Sequence, residues 1–278
     1  MYLRPDNLAA ALAALAAGGR PLAGGTDIFP AGAKGDFIDI SRLGELRGIS
    51  RAASELRIGA ATTWSEIARA DLPPGCRALQ QAAREIGALQ IQNAGTIGGN
   101  LCNASPAADG VPPLLALDAE VELLSAHDRR RLGLADFILG NRKTALRPGE
   151  LLGAVVIPRP DAFNASAFLK LGARRYLVIS IVMTAVALRV QDGRVAEAQA
   201  AVGAASAVAR RLPALEAVLR GKPADASLGL YVGADAFADL SPIDDIRASA
   251  EYRRDAAVTL MRRALDQCLA AVHRKAAA

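Results

Sequence analysis

Short apolar runs alternate with glycine, proline and polar breaks through the first 160 residues. An alanine-rich run, Leu8 to Ala17, lies between Asn7 and Gly18-Gly19, which predicts a capped helix. Arg20 to Ala23 reads as a short extended piece. Phe37 to Ile40 and Leu56 to Ala60 read as strands. Thr63 with Glu66 three residues on is close to a capping box, so a helix is expected over Trp64 to Ala70. Pro73-Pro74-Gly75 breaks the chain before a second amphipathic helix, Cys76 to Ile86, ended by Gly87. Leu114 to Leu117 reads as helix, and Ala119 to Leu124 and Leu152 to Ile157 as strands.

Pro158-Arg159-Pro160 marks a boundary, because two prolines end the preceding strand. Beyond it come three strand candidates: Ala165 to Leu171, Val178 to Val190 and Val195 to Val202. Asp192-Gly193 between the last two is a hairpin signal. Helices are expected over Ala207 to Leu219, Leu228 to Ala238, and Arg253 to Arg274. The chain therefore predicts a mixed α+β protein with domains 1–160 and 161–278.

Composition narrows the chemistry. The 278 residues are 52% hydrophobic and 22% charged, which excludes a disordered chain. Three cysteines without C-x-x-C spacing and two distant histidines, His127 and His273, leave no candidate metal site. No Ser-His-Asp or Cys-His constellation can be assembled, so no catalytic residue is assigned. A net charge of +5 suits a phosphate-bearing cofactor or an acidic partner. With 4% aromatics and no interleaved basic run, nucleic acid is not expected. Arg129 to Arg131 reads as a solvated turn. The apolar run Tyr176 to Leu188 is too short to span a membrane and reads as a buried strand. Free cysteines and a capped, non-secretory N-terminal run suggest the cytoplasm.

Two glycine turns carry the chemistry. The first is Ala23-Gly24-Gly25-Thr26-Asp27, after an extended piece, and the second is Thr96-Ile97-Gly98-Gly99-Asn100. Paired glycines let backbone N–H groups approach a diphosphate, and a neighbouring threonine hydroxyl adds a donor. Neither turn fits G-x-G-x-x-G or Walker A.

These strings, with Leu101-Cys102-Asn103-Ala104-Ser105-Pro106-Ala107-Ala108-Asp109, resemble the flavin-binding medium subunit of the molybdenum hydroxylases. That family includes carbon monoxide dehydrogenase, xanthine dehydrogenase-type enzymes and 4-hydroxybenzoyl-CoA reductase. Arg142-Lys143-Thr144, Glu150-Leu151-Leu152, Ile157-Pro158, Phe168 to Arg174 and Asp245 to Arg253 match in family order. The chain departs from the family at Val178 and Ile179, where relatives carry an acid and sometimes an aromatic.

The resemblance implies a two-lobed, PCMH-type FAD-binding domain, then a small domain of three-stranded antiparallel sheet plus helical bundle. It implies that Ala23, Gly24, Gly25, Thr26, Asp27 and Ile28 hold the FAD diphosphate together with Thr96, Gly98, Gly99 and Asn100. Ser105 and Asp109 would meet the ribose or ribityl hydroxyls, Leu152 would line the flavin or adenine pocket, and Lys170 would sit near the isoalloxazine carbonyls. It implies an electron-transfer oxidoreductase subunit, with molybdenum-pterin in a large partner and [2Fe–2S] clusters in a small one, assembled as a dimer of heterotrimers. The alternatives are a flavin-free assembly subunit and a stand-alone flavin oxidase.

Overall fold

The computed structural model describes residues 1–52 and 54–276. As expected, the Asn7 side chain accepts from Ala10 N at 2.9 Å and starts helix α1 (Leu8–Ala16). Ala11, Leu12 and Leu15 of α1 pack on Ile38 and Ile40. Beneath them lies a small parallel sheet of β1 (Tyr2–Leu3), β2 (Arg20–Leu22) and β3 (Phe37–Asp39), in the order β1-β3-β2. Leu22 pairs with Asp39, and this register fixes where the chain leaves the sheet to enter the first glycine turn.

A second lobe is built on an antiparallel sheet. Its strands are β4 (Ile49–Arg51), β5 (Leu56–Gly59), β6 (Glu120–Leu124) and β7 (Arg129–Gly133). After a one-turn helix, α7 (Leu134–Phe137), and the small hairpin β8 (Ile138–Gly140) and β9 (Lys143–Thr144), β10 (Leu151–Ile157) returns to its centre, giving the order β4-β5-β10-β6-β7. Strand β7 corrects the reading of Arg129 to Arg131 as a turn. Arg130 makes a forked pair with Glu150, at 2.8 Å twice, and Arg131 pairs with Glu55 at 2.8 and 3.1 Å. Charged side chains on an edge strand also discourage pairing with another chain.

Helices α2 (Trp64–Arg69), α3 (Arg77–Glu85), α4 (Leu89–Ala94), α5 (Ile97–Asn103) and α6 (Val111–Leu115) cover this sheet. The capping box at Thr63 and Glu66 forms in full. Trp64, Ile58, Leu79, Ile97, Leu114 and Val155 meet in the core. The second glycine stretch, Thr96 to Asn100, read as a turn, is the N-cap and first turn of α5. Thr96 supplies an N-cap, accepting from Gly99 N at 3.0 Å, and local capping outweighs the low helix propensity of glycine.

The third unit holds β11 (Ala165–Leu171), β12 (Val182–Gln191), β13 (Arg194–Gly203) and a two-residue edge strand, β14 (Arg210–Arg211), all antiparallel in chain order. Asp192 and Gly193 both take positive φ, as a tight primed hairpin turn requires. One face of the sheet, Ala167, Val182, Val186 and Leu188, packs on the long helix α9 (Ala250–Ala276). The other face, with Phe168, Met183 and Ala185, packs on Ala78, Ala82 and Ala116 of the second lobe. A sheet buried on both faces explains the unbroken apolar run there.

That run is nevertheless shorter than the expected strand. Residues 178–181 lie before β12, and Tyr176, Leu177 and Ile179 are exposed. The helix expected over Ala207 to Leu219 begins only at Pro213, in α8 (Pro213–Leu219), because proline restricts the residue before it to extended backbone. The helix expected over Leu228 to Ala238 is two 3-10 turns separated at Gly233.

Asp39 anchors the first sheet. Burial pushes its carboxyl up, but hydrogen bonds from Ser41, Tyr2 and Arg4 outweigh this and hold it at about 2. A carboxyl depressed in the folded state adds stability above its unfolded value that is lost as pH falls through the folded one. The difference is worth about 2 kcal/mol at neutral pH. Asp39→Asn should lower stability near pH 7 and flatten the loss between about pH 4 and pH 2, as read by denaturant melts across that range.

Candidate functional site

Between the first two lobes lies a cleft of about 370 Å³, within the usual size of small-molecule sites. Both glycine turns line it. They converge: a side-chain carbon on Gly24 would fall 1.9 Å from the Ala94 carbonyl oxygen, so only glycine allows the first turn to lie against the α4–α5 connection. Gly25 adopts φ +66°, which also favours glycine.

The two turns differ in what they offer. Among the described residues, no partner accepts from the backbone N–H groups of Gly24, Gly25, Thr26, Asp27 or Ile28. In the second turn every amide from Ile97 to Asn100 is taken up within the protein. Ile97 N donates to Thr62 O (3.0 Å), Gly98 N to Ala60 O (2.9 Å), Gly99 N to the Thr96 hydroxyl (3.0 Å) and Asn100 N to Thr96 O (3.0 Å). Its contribution is shape. Asn100 Oδ1 is buried without a partner, and Asn100 lines the cleft. Buried polar atoms are normally paired, and this one lies against Gly110, behind the cleft wall.

Gly98 and Gly99 also have different surroundings. A Cβ on Gly98 would lie 2.7 Å from Ala60 Cβ and 2.8 Å from Ala60 O, so this glycine seats α5 on the chain leaving β5. A Cβ on Gly99 would meet only the Thr96 hydroxyl, at 3.0 Å.

Of the residues singled out from sequence, Ala23, Gly24, Gly25, Thr26, Asp27, Ile28, Thr96, Gly98, Gly99, Asn100 and Leu152 line the cleft. Ser105, Asp109 and Lys170 do not. The Ser105 hydroxyl accepts from Ala107 N at 3.2 Å, closing a local turn. Lys170 Nζ donates to Asp109 at 2.6 Å and to Glu85 O at 3.3 Å, and the Ser180 hydroxyl donates to the other Asp109 oxygen at 2.5 Å. The Lys170 and Asp109 side chains are 6% and 8% exposed, so each is largely taken up by the other. Burial pushes the Asp109 carboxyl up, against the pull of Lys170. The pair ties the second lobe to the third unit one layer behind the cleft: neighbouring Gly110 packs on Trp64 and Asn100, which both line it.

Sequence reasoning missed Trp64, Ile86 and Ile91, which give the cleft an apolar wall, and Asn103 and Arg142 at its rim. The rim residues fall in quoted strings, but only the fold brings them together. Among the described residues no group of three or more His, Cys, Asp or Glu is placed to hold a metal ion.

Comparison with known proteins places the chain in a family. Residues 1–160 match the family described as FAD binding domain in molybdopterin dehydrogenase, and residues 167–268 match CO dehydrogenase flavoprotein C-terminal domain. A putative xanthine dehydrogenase FAD-binding subunit of Escherichia coli (strain K12) is 32% identical, over 97% of this chain and 96% of its own. The carbon monoxide dehydrogenase medium chain of Afipia carboxidovorans is 32% identical over the same shares. In a solved carbon monoxide dehydrogenase from Hydrogenophaga pseudoflava, one chain superposes with a TM-score of 0.89 at 29% identity, over 97% of each chain.

The contrast between the two glycines makes an expectation. Gly98→Ala should lower the thermal midpoint of the chain, and Gly99→Ala should leave it nearly unchanged, by calorimetry on both variants.

Proposed function

The chain belongs to the family of FAD-binding domains of molybdopterin dehydrogenases, and we propose that it is the FAD-carrying, electron-transferring medium subunit of a heteromeric molybdenum hydroxylase. The cleft fits that cofactor on its own terms. It offers a run of amides unpaired among the described residues for a diphosphate, and an apolar wall at Trp64, Ile86, Ile91 and Leu152 for a ring. The free amides of Gly24 to Ile28 are the observation that carries the reading.

In this reading the residues divide the work. Gly24 to Ile28 bind the diphosphate through backbone N–H groups, and Ala23 sets the start of that turn. Thr96 caps α5 and keeps its first turn rigid, so that Gly98 and Gly99 hold the opposite wall at a fixed distance. Leu152, in the central strand β10, excludes water from the floor. Lys170 and Asp109 act through each other: their buried pair fixes the chain at Ser180 and leaves one compact polar cluster behind the apolar wall. Ser105 shapes the turn between Asn100 and Asp109. When bound, FAD supplies the electron-carrying chemistry, and the protein supplies binding, orientation and electrostatics.

Cys76 and Cys268 are buried and burial pushes both thiols up, which suits packing rather than cluster ligation. The likeness to medium chains of such enzymes supports assigning the [2Fe–2S] clusters to a small partner subunit and the molybdenum-pterin to a large one, and we propose a dimer of heterotrimers. No helix among the described residues is long and apolar enough to cross a membrane.

Gly99→Val tests the placement. The wild-type chain should retain about one flavin per chain by visible absorbance, and the variant should keep its fold by circular dichroism yet hold at least tenfold less flavin. Native affinity purification of the wild-type complex should bring down a molybdenum-containing and an iron–sulfur chain. Equal flavin in the variant, or a chain without flavin or partners, would contradict the reading.

A further inference from the structure

Arg142 occupies the turn between β8 and β9 with φ +59°, a left-handed conformation that favours glycine. Its backbone N–H donates to Ala104 O at 2.9 Å, at the left-handed C-terminus of α5. Its guanidinium donates to Asn103 Oδ1, and Asn103 Nδ2 donates to Asp27 Oδ1 at 3.1 Å, in the first glycine turn. All three side chains belong to residues that line the cleft. Among the described residues Arg142 makes no ion pair, whereas the cleft's Glu150 is matched by Arg130. An arginine in a strained, exposed turn, carrying an unmatched charge at the rim of a cleft walled by free amides, is poorly explained by stability alone.

Resting on the reading of the cleft as a dinucleotide site, we propose that Arg142 is a further cofactor-binding residue, supplying the counter-charge to the diphosphate from the rim, and that Asn103 aims it. The chemistry follows from the donor set. Backbone amides carry only partial charge, and a diphosphate brings two negative charges. A planar guanidinium meets phosphate oxygens through two parallel N–H groups. Asn103 stands between Arg142 and the Asp27 carboxylate, so the guanidinium is held at the rim without being neutralised there. Arg20, which also lines the cleft and makes no ion pair among the described residues, adds to the positive field.

The test separates this role from a structural one. Arg142→Gly relieves the left-handed backbone and keeps the N–H to Ala104, so the cofactor-free full chain should melt no lower than wild type. Arg142→Lys keeps the charge and loses the fork. Three probes are titrated into each cofactor-free chain: FAD, ADP (diphosphate without flavin) and riboflavin (flavin without phosphate). Arg142→Gly should weaken FAD and ADP by roughly tenfold or more and leave riboflavin within about twofold, with Arg142→Lys in between. The salt dependence of FAD binding should also become shallower in Arg142→Gly. Unchanged FAD and ADP affinity, or an equal loss for riboflavin, would overturn the role of Arg142. Wild-type chain that binds neither FAD nor ADP would instead overturn the reading of the cleft.

Discussion

Five consecutive backbone N–H groups, Gly24 to Ile28, with no partner among the described residues are the constraint on which the site depends. Amides in a folded chain are usually consumed by helices, ladders or caps. Here β2 ends at Leu22, the next ladder contact goes from Ile40 N back to Leu22 O, and the chain then turns without closing its own amides from Gly24 to Ile28. Two features keep the turn open. Gly25 takes a conformation that a side chain would resist, and Gly24 lies against the Ala94 carbonyl where no side chain fits. The residues that carry these donors line the cleft, and Gly24 is pressed against the Ala94 carbonyl behind them.

The opposite wall follows another principle. Every amide in the first turn of α5 is satisfied within the protein, and Thr96 and Ala60 hold that turn on β5 and α2. One wall offers hydrogen bonds and the other offers rigidity. The third unit braces the second lobe from behind: the Ser166 hydroxyl accepts from Ala78 N at 2.9 Å, Gln81 accepts from Phe168 N at 2.8 Å, and Lys170 and Asp109 close the contact. Pre-organisation of this kind lets binding energy go to the ligand rather than to ordering the site.

Local signals were legible in the sequence, and long-range ones were not. Asn7, Thr63 with Glu66, and Asp192-Gly193 each specify their element through contacts a few residues away, and each forms as read. Both glycine pairs line the cleft, but sequence could not tell a glycine that seats a helix, Gly98, from an exposed one, Gly99, because the distinguishing atoms belong to Ala60, just beyond the end of β5. Arg129 to Arg131 read as a turn because their partners, Glu55 and Glu150, are distant in the chain. Asp109 and Lys170 pair across 61 residues, and Arg142 reaches Asn103 across 39. Such pairings are properties of the fold and have no short-range signature.

The central claim concerns specific amides, so the most direct measurement is an amide NMR titration of the cofactor-free full chain with FAD. The N–H signals of Gly24 to Ile28 should shift strongly and become protected from solvent exchange, while those of Ile97 to Asn100, already bonded within the protein, should move much less. Signals from Gly24 to Ile28 that stay fixed and exchange freely with saturating FAD would contradict it.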